Sequence, residues 1–157
     1  TYKVEPGREN HPANGITFAQ ANDYCVWLSK LTGRTYRLPT EREADALYDG
    51  TVDDENTLDH WAGYAANPDD AARLREKLKQ LPGKAPLLRE VGCFRARGAD
   101  AAVFDLGGNV AEWIMTKDGK GVLRGGSADA PADAKRTTNQ AAPEYRGFRV
   151  IEERAKR

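Results

Sequence analysis

The chain is short of nucleophiles and soft metal ligands, and it carries no excess charge of either sign. It has only two serines, Ser29 and Ser127, and neither sits in a Gly-x-Ser-x-Gly arrangement. The nucleophile elbow of the α/β-hydrolases is therefore excluded. Two histidines (His11, His60) and two cysteines (Cys25, Cys93) at no metal-like spacing cannot build a zinc finger or ribbon. Neither Gly-x-x-x-x-Gly-Lys-Ser/Thr nor Gly-x-Gly-x-x-Gly occurs, so no phosphate-cradling loop is written in the chain. The acidic stretch from Asp53 to Asp59 lacks the glycine and terminal glutamate of an EF-hand loop. Lys and Arg number 24 and Asp and Glu number 24. That balance argues against a nucleic-acid or membrane-surface binder, which carries a clear basic excess. No run approaches the roughly 20 apolar residues of a membrane span, so no membrane insertion is expected.

What is present is globular. Apolar residues make up 39% and charged residues 31% of 157 positions, enough for one domain with its own core and no obligatory staple. Residues 1–15 read as an irregular lead-in broken by Pro6, Gly7, Pro12 and Gly15. Thr1 stands where a start methionine would, and we expect a domain excised from a longer, bacterial-type protein. The compartment is not legible.

Three helices are signalled by their ends. Thr17 and Gln20 form a capping box ahead of Phe18, Ala21, Cys25, Leu28 and Leu31 on one face, with Tyr24 and Trp27 broadening the stripe and Gly33 as the stop. This places Cys25 in the core and leaves a Cys25–Cys93 disulfide open. Thr40, with Glu43 three residues on, caps a second helix that ends at Gly50. Asn67, Pro68, Asp69 and Asp70 open a third, whose narrow stripe (Ala71, Leu74, Leu78, Leu81) suits a surface position before Pro82-Gly83. Between the last two, Asp53 to Asn56 reads as a solvated acidic turn.

The second half turns to short strands and glycines. Leu87–Phe94, Val103–Leu106, Gly121–Arg124 and Gly147–Ile151 are strand candidates, and Arg34–Pro39 is a short extended run. Helices first and short strands later, with no βαβ alternation, predict an α+β fold.

Four phrases in order are more specific than any alone: Gly33-Arg-Thr-Tyr-Arg-Leu-Pro-Thr-Glu41, Asp105-Leu-Gly-Gly-Asn-Val-Ala-Glu-Trp113, Leu123-Arg-Gly-Gly-Ser127 and Gly147-Phe-Arg-Val150. Together they resemble the formylglycine-generating-enzyme (sulfatase-modifying factor) family, over a domain covering 16–157. The resemblance implies a C-type-lectin-like α+β domain, rich in irregular loops, with the family's amino-terminal strands missing or reduced. Its members include copper enzymes and binding modules, so the fold leaves function open.

Within those phrases, Arg37, Glu41, Arg124 and Arg149 are expected to form a half-buried ion-pair network, with ligand contact as the alternative. Gly107, Gly108, Gly125 and Gly126 read as turn or bulge positions. Trp113 reads as core, with a ligand platform as the alternative. The family's Asn-Val-x-Glu segment often holds calcium through hard oxygen ligands. It is Asn109, Val110 and Glu112 here, with Ala111 in place of the usual aromatic.

The formylglycine-forming members also need two cysteines between the third and fourth of these phrases, to bind copper(I). Residues 128–146 contain none, so no copper and no formylglycine chemistry are expected. The same span carries Asp133, Lys135, Arg136, Asn139 and Glu144, on a loop that lines the family's ligand groove. The resemblance thus implies a non-catalytic module that binds a peptide, a protein or a polar small molecule beside a neighbouring domain. Two rivals stand: a divergent oxidoreductase with Glu144 or Asp133 as acid or base, and a structural spacer.

Overall fold

The computed structural model describes residues 4–48, 55–95, 103–130 and 141–153. The order of elements is α1 (Phe18–Thr32), β1 (Thr35–Arg37), α2 (Glu41–Tyr48), α3 (Leu58–Ala62), α4 (Pro68–Leu78), β2 (Ala111–Met115), β3 (Gly121–Arg124), a short 3-10 turn (Pro143–Tyr145), β4 (Arg146–Gly147) and β5 (Ile151–Glu153). This is the expected α+β arrangement.

Local chemistry sets the helices. At α1, Thr17 accepts from the Gln20 backbone N–H, Gln20 reaches back to the Thr17 N–H, and Gly33 ends the helix at φ 71°. At α2, the Thr40 and Glu43 side chains cap one another's backbone N–H groups. At α4, the Asn67 side chain accepts from both Asp69 and Asp70, ahead of Pro68 in the first turn. The short α3, with Thr57 as its cap and Gly63 as its stop, was not anticipated. Five residues are too few for a helical stripe to stand out.

Strand β2 is the centre of the molecule. It pairs antiparallel with β3 and parallel with β4, giving the order β3-β2-β4, while β1 and β5 form a separate antiparallel pair. No strand was expected at Ala111–Met115. It forms because the hairpin to β3 turns through Thr116–Lys120, whose Thr116 hydroxyl bonds the Lys120 N–H and C=O. Alternation along β2 then sorts its neighbours. Ile114 joins Ala44, Tyr48 and Leu106 under α2, and Glu112 shares that face. On the other face, Ala111 packs with Leu87, Leu88, Leu123 and Tyr145. Trp113 bridges that cluster and the one formed by Ile16, Ala21, Cys25 and Leu38 beneath α1. Its indole N–H donates to the Ile16 carbonyl at 2.6 Å, so it is a structural residue.

Three strand expectations are corrected. Leu87–Phe94 is not a strand: it is anchored by buried Leu87 and Leu88, and the Arg89 backbone pairs with a side chain instead of a ladder. Val103–Leu106 contributes a single bridge, Phe104 with Arg95. Gly147–Ile151 is divided, because β4 feeds one sheet and β5 the other, with Phe148–Val150 crossing between them. The acidic turn is also corrected at its described end. Glu55 and Asn56 are each 1% exposed, buried against Gly107 and Gly108. A Cβ at Gly108 would lie 2.5 Å from the Asn56 carbonyl oxygen, so this glycine serves close approach and not a turn. The left-handed positions in that phrase fall on Asp105 (φ 56°) and Asn109 (φ 65°).

Candidate functional site

Two of the signature phrases, Asp105–Trp113 and Gly147–Val150, supply residues to two polar knots. In the first, Arg149 reaches from the β4–β5 crossing to Glu112 on β2. Its Nη2 donates to Glu112 Oε1 at 2.6 Å, its Nε donates to Oε2, and Nη2 also reaches the carbonyls of Phe104 and Asp105. Tyr48 from α2 donates to Glu112 Oε2 at 2.9 Å. Burial opposes the guanidinium's charge, yet the adjacent Glu112 carboxylate holds its pKa above the ordinary value. Tyr48 is pushed up by burial and by the same carboxylate.

In the second knot, the amide of Asn109 imitates a strand partner for Arg89: Oδ1 accepts the Arg89 N–H at 3.0 Å and Nδ2 donates to the Arg89 carbonyl at 3.1 Å. Asn56 Nδ2 donates to the same Oδ1 and to the Leu87 carbonyl, and Asn56 Oδ1 accepts from the Trp61 indole. Three loops are tied by two amides. Between the knots lies Glu55. Its Oε2 accepts from the Gly107 N–H at 2.6 Å, and its Oε1 is buried with no partner. Burial raises its pKa to about 7, with the Asp105 carboxylate adding to the rise.

These contacts decide the fit of a calcium ion to Asn109, Val110 and Glu112. The Asn109 side-chain oxygen already accepts two N–H donors. The Glu112 carboxylate is neutralised by a guanidinium. The set does not fit calcium in this arrangement, because a cation would have to displace Arg149 from Glu112. Among the described residues no group of three or more His, Cys, Asp or Glu side chains converges as a metal site.

The remaining residues of the expected network pair elsewhere. Arg37 pairs with Glu43 and Glu153 and not with Glu41. The Arg37 hydrogen bond holds the Glu43 carboxyl down at about 2, against partial burial. Arg124 pairs with Asp45 across α2. The cysteines are both free, Cys25 buried in α1 and Cys93 exposed.

One concave surface, of about 640 Å3, is lined by the knot residues Asp105, Asn109, Glu112 and Arg149, and a second lies between the end of α4 and the Pro143–Tyr145 turn. This second one is a cleft of about 650 Å3. Leu78, Leu81, Ala85 and Pro143 give it an apolar floor, and Arg75, Lys79 and Lys84 line its rim. Asp129 closes one wall: its carboxylate accepts from Ser127 Oγ at 2.6 Å and from the Ala142 N–H at 2.8 Å, and its carbonyl accepts from Arg75 Nε. Burial raises the Asp129 pKa. Glu144 stands on the rim, with its backbone carbonyl bound by Asn14 Nδ2. Asp133, Lys135, Arg136 and Asn139 lie outside the described residues. The cations of α4 had read as a solvated helix face. Nothing in their spacing signals the cleft, which exists only because α4 packs against a segment about 65 residues later in sequence.

With the fold and the site in view, the comparison with known families is direct. The family model of the sulfatase-modifying factor enzyme 1-like domain (FGE-sulfatase) matches residues 2–154. The chain belongs to this family, and its α+β fold is the family's C-type-lectin-like one. No curated protein matches the chain.

Proposed function

We propose that the chain is a non-catalytic recognition module of this family, and that the cleft between α4 and the Pro143–Tyr145 turn holds its ligand. The observation that carries this reading is the placement of the thiols. No cysteine occurs in residues 128–146, Cys25 is buried beneath α1, and Cys93 is in a separate exposed loop. Two thiolates cannot meet over the cleft, so the soft pair that the family's copper(I) chemistry needs is lacking.

The cleft suits binding. Its floor is apolar and its rim carries Arg75, Lys79 and Lys84. Among the described residues Glu144 is the one acidic side chain free on that rim, since the Asp129 carboxylate is spent on Ser127 and Ala142. An apolar floor under a mostly cationic rim favours an extended peptide or a polar small molecule with acidic groups beside an apolar one.

The test pairs a turnover assay with a binding assay. Copper-loaded protein is offered a cysteine-containing sulfatase peptide, and mass spectrometry should find no formylglycine. Fluorescence anisotropy then compares acidic and basic peptides of equal apolar content. Preference for the acidic series, weakened by Arg75→Ala and Lys84→Ala, is expected. Turnover, or indifference to peptide charge, overturns the reading.

A further inference from the structure

We infer that α1 carries a self-complementary seam by which two copies of this chain associate antiparallel. Helix α1 buries one face, through Ala21 and Cys25, against Leu38 and Ile16. A second apolar stripe lies on its outer side. Gln20, Tyr24, Trp27 and Leu31 follow one another at spacings of four, three and four, the period of a helix-pairing seam. Tyr24 is 42% exposed, Trp27 53% and Leu31 65%. Tyr24, the least exposed, leans on Phe148, and Trp27 and Leu31 are more open.

The stripe is ordered for contact. The Tyr24 ring lies 5.4 Å from Trp27 and 5.3 Å edge-on from Phe148, so the aromatic groups brace one another. Beside Tyr24 the surface falls into an apolar cleft of about 530 Å3, lined by Ile16, Gln20, Tyr24, Phe148 and Val150. Leu31, two turns along the helix, is the most exposed member of the stripe. Groove and protrusion thus stand on opposite sides of Trp27.

Charge selects the occupant. Asp23 and Lys30 are exposed on the same edge of the stripe, and neither makes an ion pair among the described residues. They lie seven residues apart, about 10 Å along the helix, and are centred on Trp27. A twofold axis through Trp27, perpendicular to α1, sets Asp23 of one copy beside Lys30 of the other, twice. The same operation brings Leu31 of each copy over the Tyr24–Phe148 cleft of the other. A surface with its own complement at equal distance from one point is what an isologous interface requires. Zero net charge leaves no long-range repulsion between copies. The association rests on one helix face, so it is expected to be reversible and concentration-dependent.

The experiment is sedimentation velocity on the chain over a concentration series from the low micromolar to the millimolar range. A monomer–dimer equilibrium is expected. Leu31→Glu, at an exposed position, should leave the circular dichroism spectrum unchanged and weaken dimerisation by about tenfold or more. Asp23→Lys should weaken it by opposing like charges, and the double variant Asp23→Lys/Lys30→Asp should restore it. That rescue is independent of any effect of Leu31→Glu on folding. A monomer at every concentration overturns the proposal and assigns the seam to another segment or protein. A dimer indifferent to both the charge reversal and its rescue also overturns it.

Discussion

Arg149 and Glu112 form a two-pronged pair, guanidinium against carboxylate, that joins the crossing between the two sheets to the central strand β2. Each charge is also held by a third party: Tyr48 donates to the carboxylate, and the guanidinium reaches the carbonyls of Phe104 and Asp105. Four separate stretches of chain therefore meet at one ion pair.

Removing either partner leaves the other charge buried. Arg149→Met or Glu112→Gln should each destabilise the fold by about 3 kcal/mol, read as a lower urea midpoint with an unchanged slope. The double variant Arg149→Met/Glu112→Gln should recover part of the loss, because no unpaired charge remains. Double-variant stability equal to the sum of the two losses would refute the coupling.

The same pair governs the response to calcium. With Arg149 on Glu112 and two donors on Asn109 Oδ1, added calcium or a chelator should leave the melting temperature unchanged. Differential scanning calorimetry with and without calcium decides this. A clear upward shift would mean that Arg149 yields its carboxylate to the ion.

Glu55 ties stability to pH. Its carboxyl has a folded pKa of about 7 against an ordinary value of 4.5, through burial. The native state thus keeps a proton that the unfolded chain loses earlier. Stability falls as pH rises from about 4.5 to about 7, by an amount on the order of 3 kcal/mol for this group. Glu55→Gln should flatten that slope, and urea titrations at intervals across this window measure it. Glu43 acts below the window: its contribution is present above 4.5 and lost as pH falls toward about 2.

The two thiols should differ sharply in reactivity. Cys93 is exposed, whereas Cys25 is 3% exposed and burial raises its pKa. A thiol reagent should modify one cysteine rapidly in the native state and the second only on unfolding. Equal rates would contradict the packing beneath α1.

The helices and their ends were legible in the order of residues because their causes act within four positions. Thr17 with Gln20, Thr40 with Glu43, and Asn67 with the N–H groups of Asp69 and Asp70 are contacts any local window contains. The family phrases were legible in the same way, and with them the α+β class. Residue order did not disclose what becomes of Glu55 and Asn56. They look like a solvated turn until Gly107 and Gly108, more than fifty residues on, close over them. Nor did it disclose that Arg37 would choose Glu43, or that Leu87–Phe94 would take the Asn109 amide in place of a neighbouring strand. The cleft beside α4 and the exposure of Trp27 and Leu31 on α1 belong to the same class. Each depends on which distant segments arrive and which faces they leave uncovered, and periodicity within one segment carries no record of either.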